Sequence, residues 1–347
     1  MATSDLTVHG AGIFGLSIAW AAARRGAKVR VIDIAHPGAG ASGGIVGALA
    51  PHVPELWNSK KAFQLDCLLE AESWWHKVQS VGGVDPLYRR TGRLQAIMDE
   101  AGLALAQTRA QSAKTLWQGR AAWQVIAATG ADWEPHSPSG WLVHDTLTAR
   151  LHPRAAGAAL LAAIKAKGAD VGIGPQSAAD GPQVWATGYA GLIEMSQGRA
   201  RPVGSGVKGQ AAAFRYEAAT LPQIFTDGLH VIGHGDGTVA IGSTSERYWE
   251  EATSTDAQLD VLIAKARAAL PCLAHAPVVE RWAGIRPRSR SRAPMLGAWP
   301  NRPGHFIANG GFKIGFGMAS GIAEAMADLV LEGRDTIPND FRIDANL

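Results

Sequence analysis

Three glycines near the start of the chain carry the first chemistry that the residues suggest. Gly10-Ala-Gly12-Ile-Phe-Gly15 matches G-x-G-x-x-G. The first glycine permits a tight turn, the second lets backbone approach a pyrophosphate, and the third lets a helix pack closely on a strand. The phosphates then sit at the positive end of that helix. Asp33 comes 18 residues after Gly15, where a carboxylate can accept hydrogen bonds from a ribose. This set fits NAD and FAD equally. Other reactive types are less telling. Cys67 and Cys272 form no C-x-x-C pair, so neither a zinc site nor a disulfide framework is expected. His9, His52, His144, His152 and His305 are scattered, with no neighbouring nucleophile in a triad-like context. His52 alone follows a second glycine-rich run, a position suited to lining a pocket.

The elements that must position these residues follow from periodicity. Leu6 and Val8 read as a short strand, Ile13 to Arg25 as a helix stopped by Gly26, and Lys28 to Asp33 as a second strand parallel to the first. That is a βαβ unit of nucleotide-binding size. Pro37 to Gly47 must be irregular, while residues 207–249 read as strands broken by Pro and Gly, an antiparallel sheet. The texture from Glu280 is again rich in Gly and Pro, and Ala319 to Glu332 is a final helix. We expect an α/β protein, α+β overall. A Rossmann-type dinucleotide domain (residues 1–82, 148–200 and 280–347) would hold an inserted substrate domain (83–147 and 201–279) built on a large antiparallel sheet.

The 347 residues include 33 Lys plus Arg against 30 Asp plus Glu, too balanced for a nucleic-acid footprint. No apolar stretch is long enough to span a bilayer and no signal pattern opens the chain, so a soluble, cytoplasmic protein is expected. Arg286, Arg288, Arg290 and Arg292 alternate and would share one side of an extended segment. Four unpaired arginines would repel, so partners are needed. Local acids along a solvated edge are the expected ones; an acidic or doubly anionic substrate is the alternative.

Several further motifs occur in a fixed order. They are Gly40-Ala-Ser42-Gly43-Gly44-Ile-Val-Gly47, Leu151-His-Pro153, Trp185-Ala-Thr187-Gly188, Lys208-Gly209-Gln210 and Ile241-Gly242-Ser-Thr244. Trp282-Ala-Gly284-Ile-Arg286-Pro287, Pro294-Met-Leu-Gly297 and Ala308-Asn-Gly310-Gly311-Phe312-Lys313-Ile314-Gly315 complete the set. From about Thr7 to Ile337 this order resembles the D-amino-acid oxidase superfamily of FAD enzymes, nearest to glycine oxidase and sarcosine oxidase. The resemblance implies that Gly10, Gly12, Ile13, Phe14, Gly15 and Asp33 hold the ADP half of FAD. Ser42, Gly43 and Gly44 would wrap the pyrophosphate and the flavin edge, and Thr187 and Gly188 would pass close by. Gly310, Gly311, Phe312, Lys313, Ile314 and Gly315 would run along the isoalloxazine, with Arg286 and Lys313 binding the substrate carboxylate. No cysteine lies near Arg286–Pro287, where sarcosine oxidase attaches its flavin, so the FAD is expected to be non-covalent. Ala240 replaces the lysine that promotes the oxygen reaction in sarcosine oxidase, and Asn309 stands where many members have His. The implied activity is oxidation of a small amino acid or secondary amine to the imine, with oxygen or an electron carrier as acceptor. A dehydrogenase of the same fold, or an FAD-binding subunit of a larger assembly, is the alternative. The segment from Val171 to Gln183 is short, and adenine contacts are not assigned there.

Overall fold

The structure is a computed structural model that describes residues 4–175 and 181–347. Two sheets organise it. The smaller has six strands in the order Met295–Ala298, His305–Asn309, Gln183–Trp185, Leu6–His9, Val29–Asp33, Asp170–Ile173. All neighbours are parallel except the first pair. Leu6, Val8 and Val31 are fully buried, as a parallel sheet covered on both faces requires. The helix Ile13–Ala23 lies over it with every residue but Ile13 buried, and packs against the last helix, Gly315–Glu332. Small residues allow that contact and its neighbours. A Cβ on Gly321 would run into Cys67 and Phe63, and Cys67 is a buried thiol pushed up to about 12 by its burial, a core residue.

The larger sheet has eight strands in the order Val278–Ser289, Gly204–Arg215, Thr238–Gly242, Leu229–Gly233, Gln223–Thr226, Arg93–Ala96, Trp141–Asp145, Trp123–Ala127. It is antiparallel apart from one parallel pairing, Gln223–Thr226 with Arg93–Ala96. Alternation splits its faces. Ala212, Phe214, Val231, Val239 and Ile241 pack with the helix Ala257–Ala269 on one side. Ala211, Ala213, Ala240 and Arg286 take the other, which faces the glycine-rich loops.

Two features differ from or add to the sequence reading. Within the Gly- and Pro-rich texture after Glu280, where the sequence reading assigns no element, Val278–Ser289 is a twelve-residue strand. It is the sheet's edge, so Pro287 and its missing N–H interrupt no second ladder. The last helix begins at Gly315, not Ala319: glycine lowers helix propensity, but tertiary packing decides here. The short segment before Gln183 forms a strand at Asp170–Ile173, and residues 176–180 lie outside the described residues. Among those described, no helix is long and apolar enough to cross a membrane.

Candidate active site

The glycine loop is built tightly. Gly10 has φ +102°, a left-handed conformation, and a Cβ there would strike the Ala186 carbonyl on the adjacent strand. A Cβ on Gly15 would strike the carbonyl of Gly10, so only glycine lets the helix start this close to the turn. Gly12 caps the helix with no side-chain acceptor for its first N–H groups. Those groups lack intrahelical partners and carry the positive end of the helix dipole. The Ile13 N–H donates to Ser42 Oγ (2.9 Å), which brings the second glycine run against the helix end. Asp33 accepts from the Ala11 N–H (2.6 Å) and the Ala35 N–H (3.0 Å) through different oxygens. Its carboxylate thus holds the loop, and each oxygen keeps a lone pair for a further donor.

The other predicted cofactor segments arrive beside this loop. Gly311 packs against Phe14, whose ring lies 2.7 Å from where a Cβ would sit. Asn309 Nδ2 donates to the Gly188 carbonyl (2.9 Å), and its Oδ1 accepts from the Gly310 N–H (2.7 Å). Asn309 therefore ties the Thr187–Gly188 turn to the Gly310 turn, a role invisible in the sequence. Together Gly10–Gly15, Asp33, Ser42–Gly44, Thr187–Gly188 and Gly310–Gly315 form a backbone cradle whose free helix-end donors and absent side chains fit a dinucleotide.

Arg286 and Lys313 come from different parts of the chain and meet at this cradle. Arg286 is 8% exposed. Its Nη2 donates to Ser243 Oγ (2.6 Å) and to the Thr244 carbonyl (3.1 Å), while buried Nη1 has no acceptor among the described residues. Burial drives its pKa down to about 10, against the favourable pull of Glu246. A Cβ on Gly209 would overlap the guanidinium, so that glycine makes the space Arg286 fills. The Phe312 N–H donates to the Pro287 carbonyl (3.0 Å), fixing the Lys313 loop beside the Arg286 strand. The Lys313 side chain reaches solvent but is closely surrounded. That desolvation lowers its pKa, and the Arg286 charge lowers it further.

His230 escaped the sequence reading. It is partly buried and its pKa falls to about 3, through burial first and then the charges of Arg93 and Lys313. Strand alternation was the available signal: His230, Ile232 and His234 share the face of Ala240, opposite Val231. The scattered histidines have structural partners. His9 stacks on Trp185 at 3.9 Å, and His305 Nδ1 accepts from Trp185 Nε1. His52 is pinned by Gln64. His152 lies 4.9 Å from His234.

The four arginines do not find the expected acids. Arg286 and Arg288 share a strand face, but the strand ends at Ser289 and Arg292 turns at φ +63°. Arg290 donates to the carbonyl oxygen of Leu347. No Asp or Glu pairs with Arg288 or Arg292 among the described residues.

Residues 5–329 match the family described as FAD dependent oxidoreductase. The chain is 28% identical to the glycine oxidase of Pseudomonas putida, over 94% of each chain. The glycine oxidase of Pseudomonas aeruginosa is 35% identical over a shorter stretch, 38% of this chain and 36% of that one. Among solved structures, glycine oxidase from Geobacillus kaustophilus superposes with a TM-score of 0.83 at 19% identity, covering 99% of both chains. Iminodiacetate oxidase from Chelativorans sp. BNC1 gives 0.84 at 22% identity, covering 97% of this chain and 98% of that one. The chain belongs to the FAD-dependent oxidoreductase family of the D-amino-acid oxidase type, and is an FAD-dependent, glycine oxidase-like oxidoreductase.

Proposed function

We propose that the enzyme oxidises a small amino acid or secondary amine to the imine, with Arg286 and Lys313 holding the substrate carboxylate. The observation that carries this reading is the buried Arg286, whose Nη1 lacks an acceptor among the described residues and lies beside a second cation, Lys313. A buried unpartnered donor is costly unless a ligand satisfies it. A planar guanidinium receives a carboxylate in a fork, and the ammonium adds a point charge. The glycine and iminodiacetate oxidases among the relatives act on small carboxylate-bearing amines by name.

In this reading Phe14 and Gly15 present helix-end N–H donors to the pyrophosphate, Gly12 leaves room for it, and Ile13 holds Ser42 against the same helix end. Asp33 receives ribose hydroxyls, Ser42 to Gly44 and Thr187–Gly188 enclose the middle of the cofactor, and Gly310 to Gly315 border the flavin. The FAD is held without a covalent bond. When bound, it would supply a hydride acceptor for the substrate α-carbon. The protein's own contribution is placement. Arg286, steadied by Ser243 and the Thr244 carbonyl, fixes one end of the substrate so that the C–H bond is aimed. The amine must arrive neutral; as the hydride leaves, the nitrogen lone pair forms the C=N bond. An N–H proton then leaves to solvent, or the product remains as an iminium. Water hydrolyses it to the oxo acid and the released amine.

The proposal is tested by adding small amino acids and N-methylglycine without oxygen and following flavin absorbance. Bleaching by a carboxylate-bearing amine supports it. Failure of every such amine to bleach the flavin would overturn it. A peroxide assay in air then separates oxygen from a carrier as the acceptor, a question raised by Ala240, which is fully buried where sarcosine oxidase has its lysine.

A further inference from the structure

We propose that Arg288 forms a second anion-binding position at the mouth of this site, and that it receives the distal carboxylate of a dicarboxylic amine. The proposal deepens, and rests on, the assignment of Arg286 and Lys313 to the first carboxylate.

Arg286 and Arg288 lie on the same face of the strand Val278–Ser289, two residues apart. That spacing separates their Cα atoms by roughly 6.7 Å. The two differ in depth: Arg286 is buried, whereas Arg288 is only partly covered and stands nearer solvent. One aromatic ring links Arg288 to the inner pair. The Arg288 Cζ is 5.7 Å from the centroid of Phe312, and Lys313 Nζ is 5.8 Å from the same centroid. Phe312 is itself fixed by its N–H to the Pro287 carbonyl, the residue between the two arginines. Arg288 and Lys313 therefore both approach the ring of Phe312, and Lys313 lies close enough to Arg286 to feel its charge.

The surroundings add positive charge and little to offset it. The Arg288 pKa is lowered by burial, then by Arg292 and Arg247. No Asp or Glu forms an ion pair with Arg247, Arg288 or Arg292 among the described residues. A solvated edge would have interleaved acids, as it does elsewhere: Arg281 reaches Asp260 and Arg154 reaches Glu280 from the other end of the same strand's surroundings. Like charges gathered at the mouth repel one another and are relieved by an anion. A monocarboxylic amine satisfies Arg286 and Lys313 and leaves Arg288 as it was. An amine with carboxylates on both sides, such as an N-carboxymethyl amino acid, bridges the two levels. It places its reacting carbon between them. The mouth also favours such substrates by long-range attraction, so their rate should be the more salt-sensitive.

The test uses the FAD-loaded enzyme with two secondary amines, iminodiacetate and N-methylglycine, plus dimethylamine, which has no carboxylate. The expected result is a kcat/KM at least tenfold higher for iminodiacetate than for N-methylglycine. In Arg288→Gln that ratio should collapse toward one, chiefly through the dicarboxylate, and Arg288→Lys should restore part of it. Calorimetry gives a readout independent of turnover. Thiodiacetate, which has sulfur in place of the amine, should bind the wild type at least tenfold more tightly than (methylthio)acetate, and Arg288→Gln should remove the difference. Equal constants for the two acids, or a ratio unmoved in Arg288→Gln, would overturn the second position while leaving the first carboxylate site intact. Turnover of dimethylamine as fast as either acid would instead overturn the first site, and this proposal with it.

Discussion

Arg286 keeps a charge in surroundings that disfavour it, and the geometry explains how. Its strand partner across the sheet offers Gly209, whose missing side chain is the space the guanidinium occupies. Gly209→Ala would push the guanidinium aside, so kcat/KM for an amino acid should fall roughly ten- to a hundredfold, about 1.4–2.8 kcal/mol, with FAD still bound. An unchanged kcat/KM would show that the guanidinium position is not what the substrate reads. Lys313 gives a pH prediction. Its pKa is depressed by desolvation and by Arg286, so its charge is present at lower pH and lost on raising pH earlier than for an ordinary lysine. The substrate amine must lose its own proton first. The kcat/KM profile should therefore rise as the amine deprotonates and fall as Lys313 does. Lys313→Met should remove the falling limb, and Lys313→Arg should carry it to higher pH; a limb unmoved by either variant would belong to another group.

At the scale of elements, the glycine turn and the helix it feeds form one device. The dipole end of Ile13–Ala23 is useful because Gly12 adds no side chain over it, and only Ser42 Oγ meets its first N–H. Gly12→Val should yield a folded protein that retains no FAD, seen as loss of absorbance near the flavin bands; a variant that stays yellow would place the cofactor elsewhere. This device was legible because it is local: strand, turn, helix, strand and Asp33 fall within 28 residues, from Leu6 to Asp33. Other parts depend on pairings distant in sequence. Gly209 opposite Gly284, His230 facing Lys313, and Asn309 reaching Gly188 follow from sheet register and loop packing, which a single chain of letters does not state. The strand Val278–Ser289 was hidden by its own Pro and Gly residues, which an edge position tolerates. The arginine alternation was read correctly only as far as Ser289, where the extended backbone stops.

For the whole molecule, the two sheets meet where the Gly40–Gly47 run crosses from one to the other. His234, 1% exposed, donates through Nε2 to the Ile45 carbonyl (2.8 Å) and so ties the larger sheet to that run. Burial holds its pKa down to about 4. A depressed imidazole stays neutral in the fold but is protonated in the unfolded chain near pH 6.5. Its contribution is therefore present above that pH and lost as pH falls from about 6.5 toward 4, on the order of 3 kcal/mol over the full interval. Denaturant melts at pH 8 and pH 5 should show this loss, and His234→Gln should reduce it, with His230 still contributing the rest of the slope; an equal slope in both proteins would contradict it. The central claim is that a cofactor cradle from one sheet and a cation pair at its edge together read a carboxylate beside the flavin. The most direct measurement compares kcat/KM for an amino acid with that for the amine lacking its carboxylate, in the wild type and in Arg286→Ala. The wild type should strongly prefer the acid, and Arg286→Ala should lose about 2–5 kcal/mol of that preference while keeping its FAD. Equal turnover of acid and amine by the wild type, or an undiminished preference in Arg286→Ala, would contradict the account.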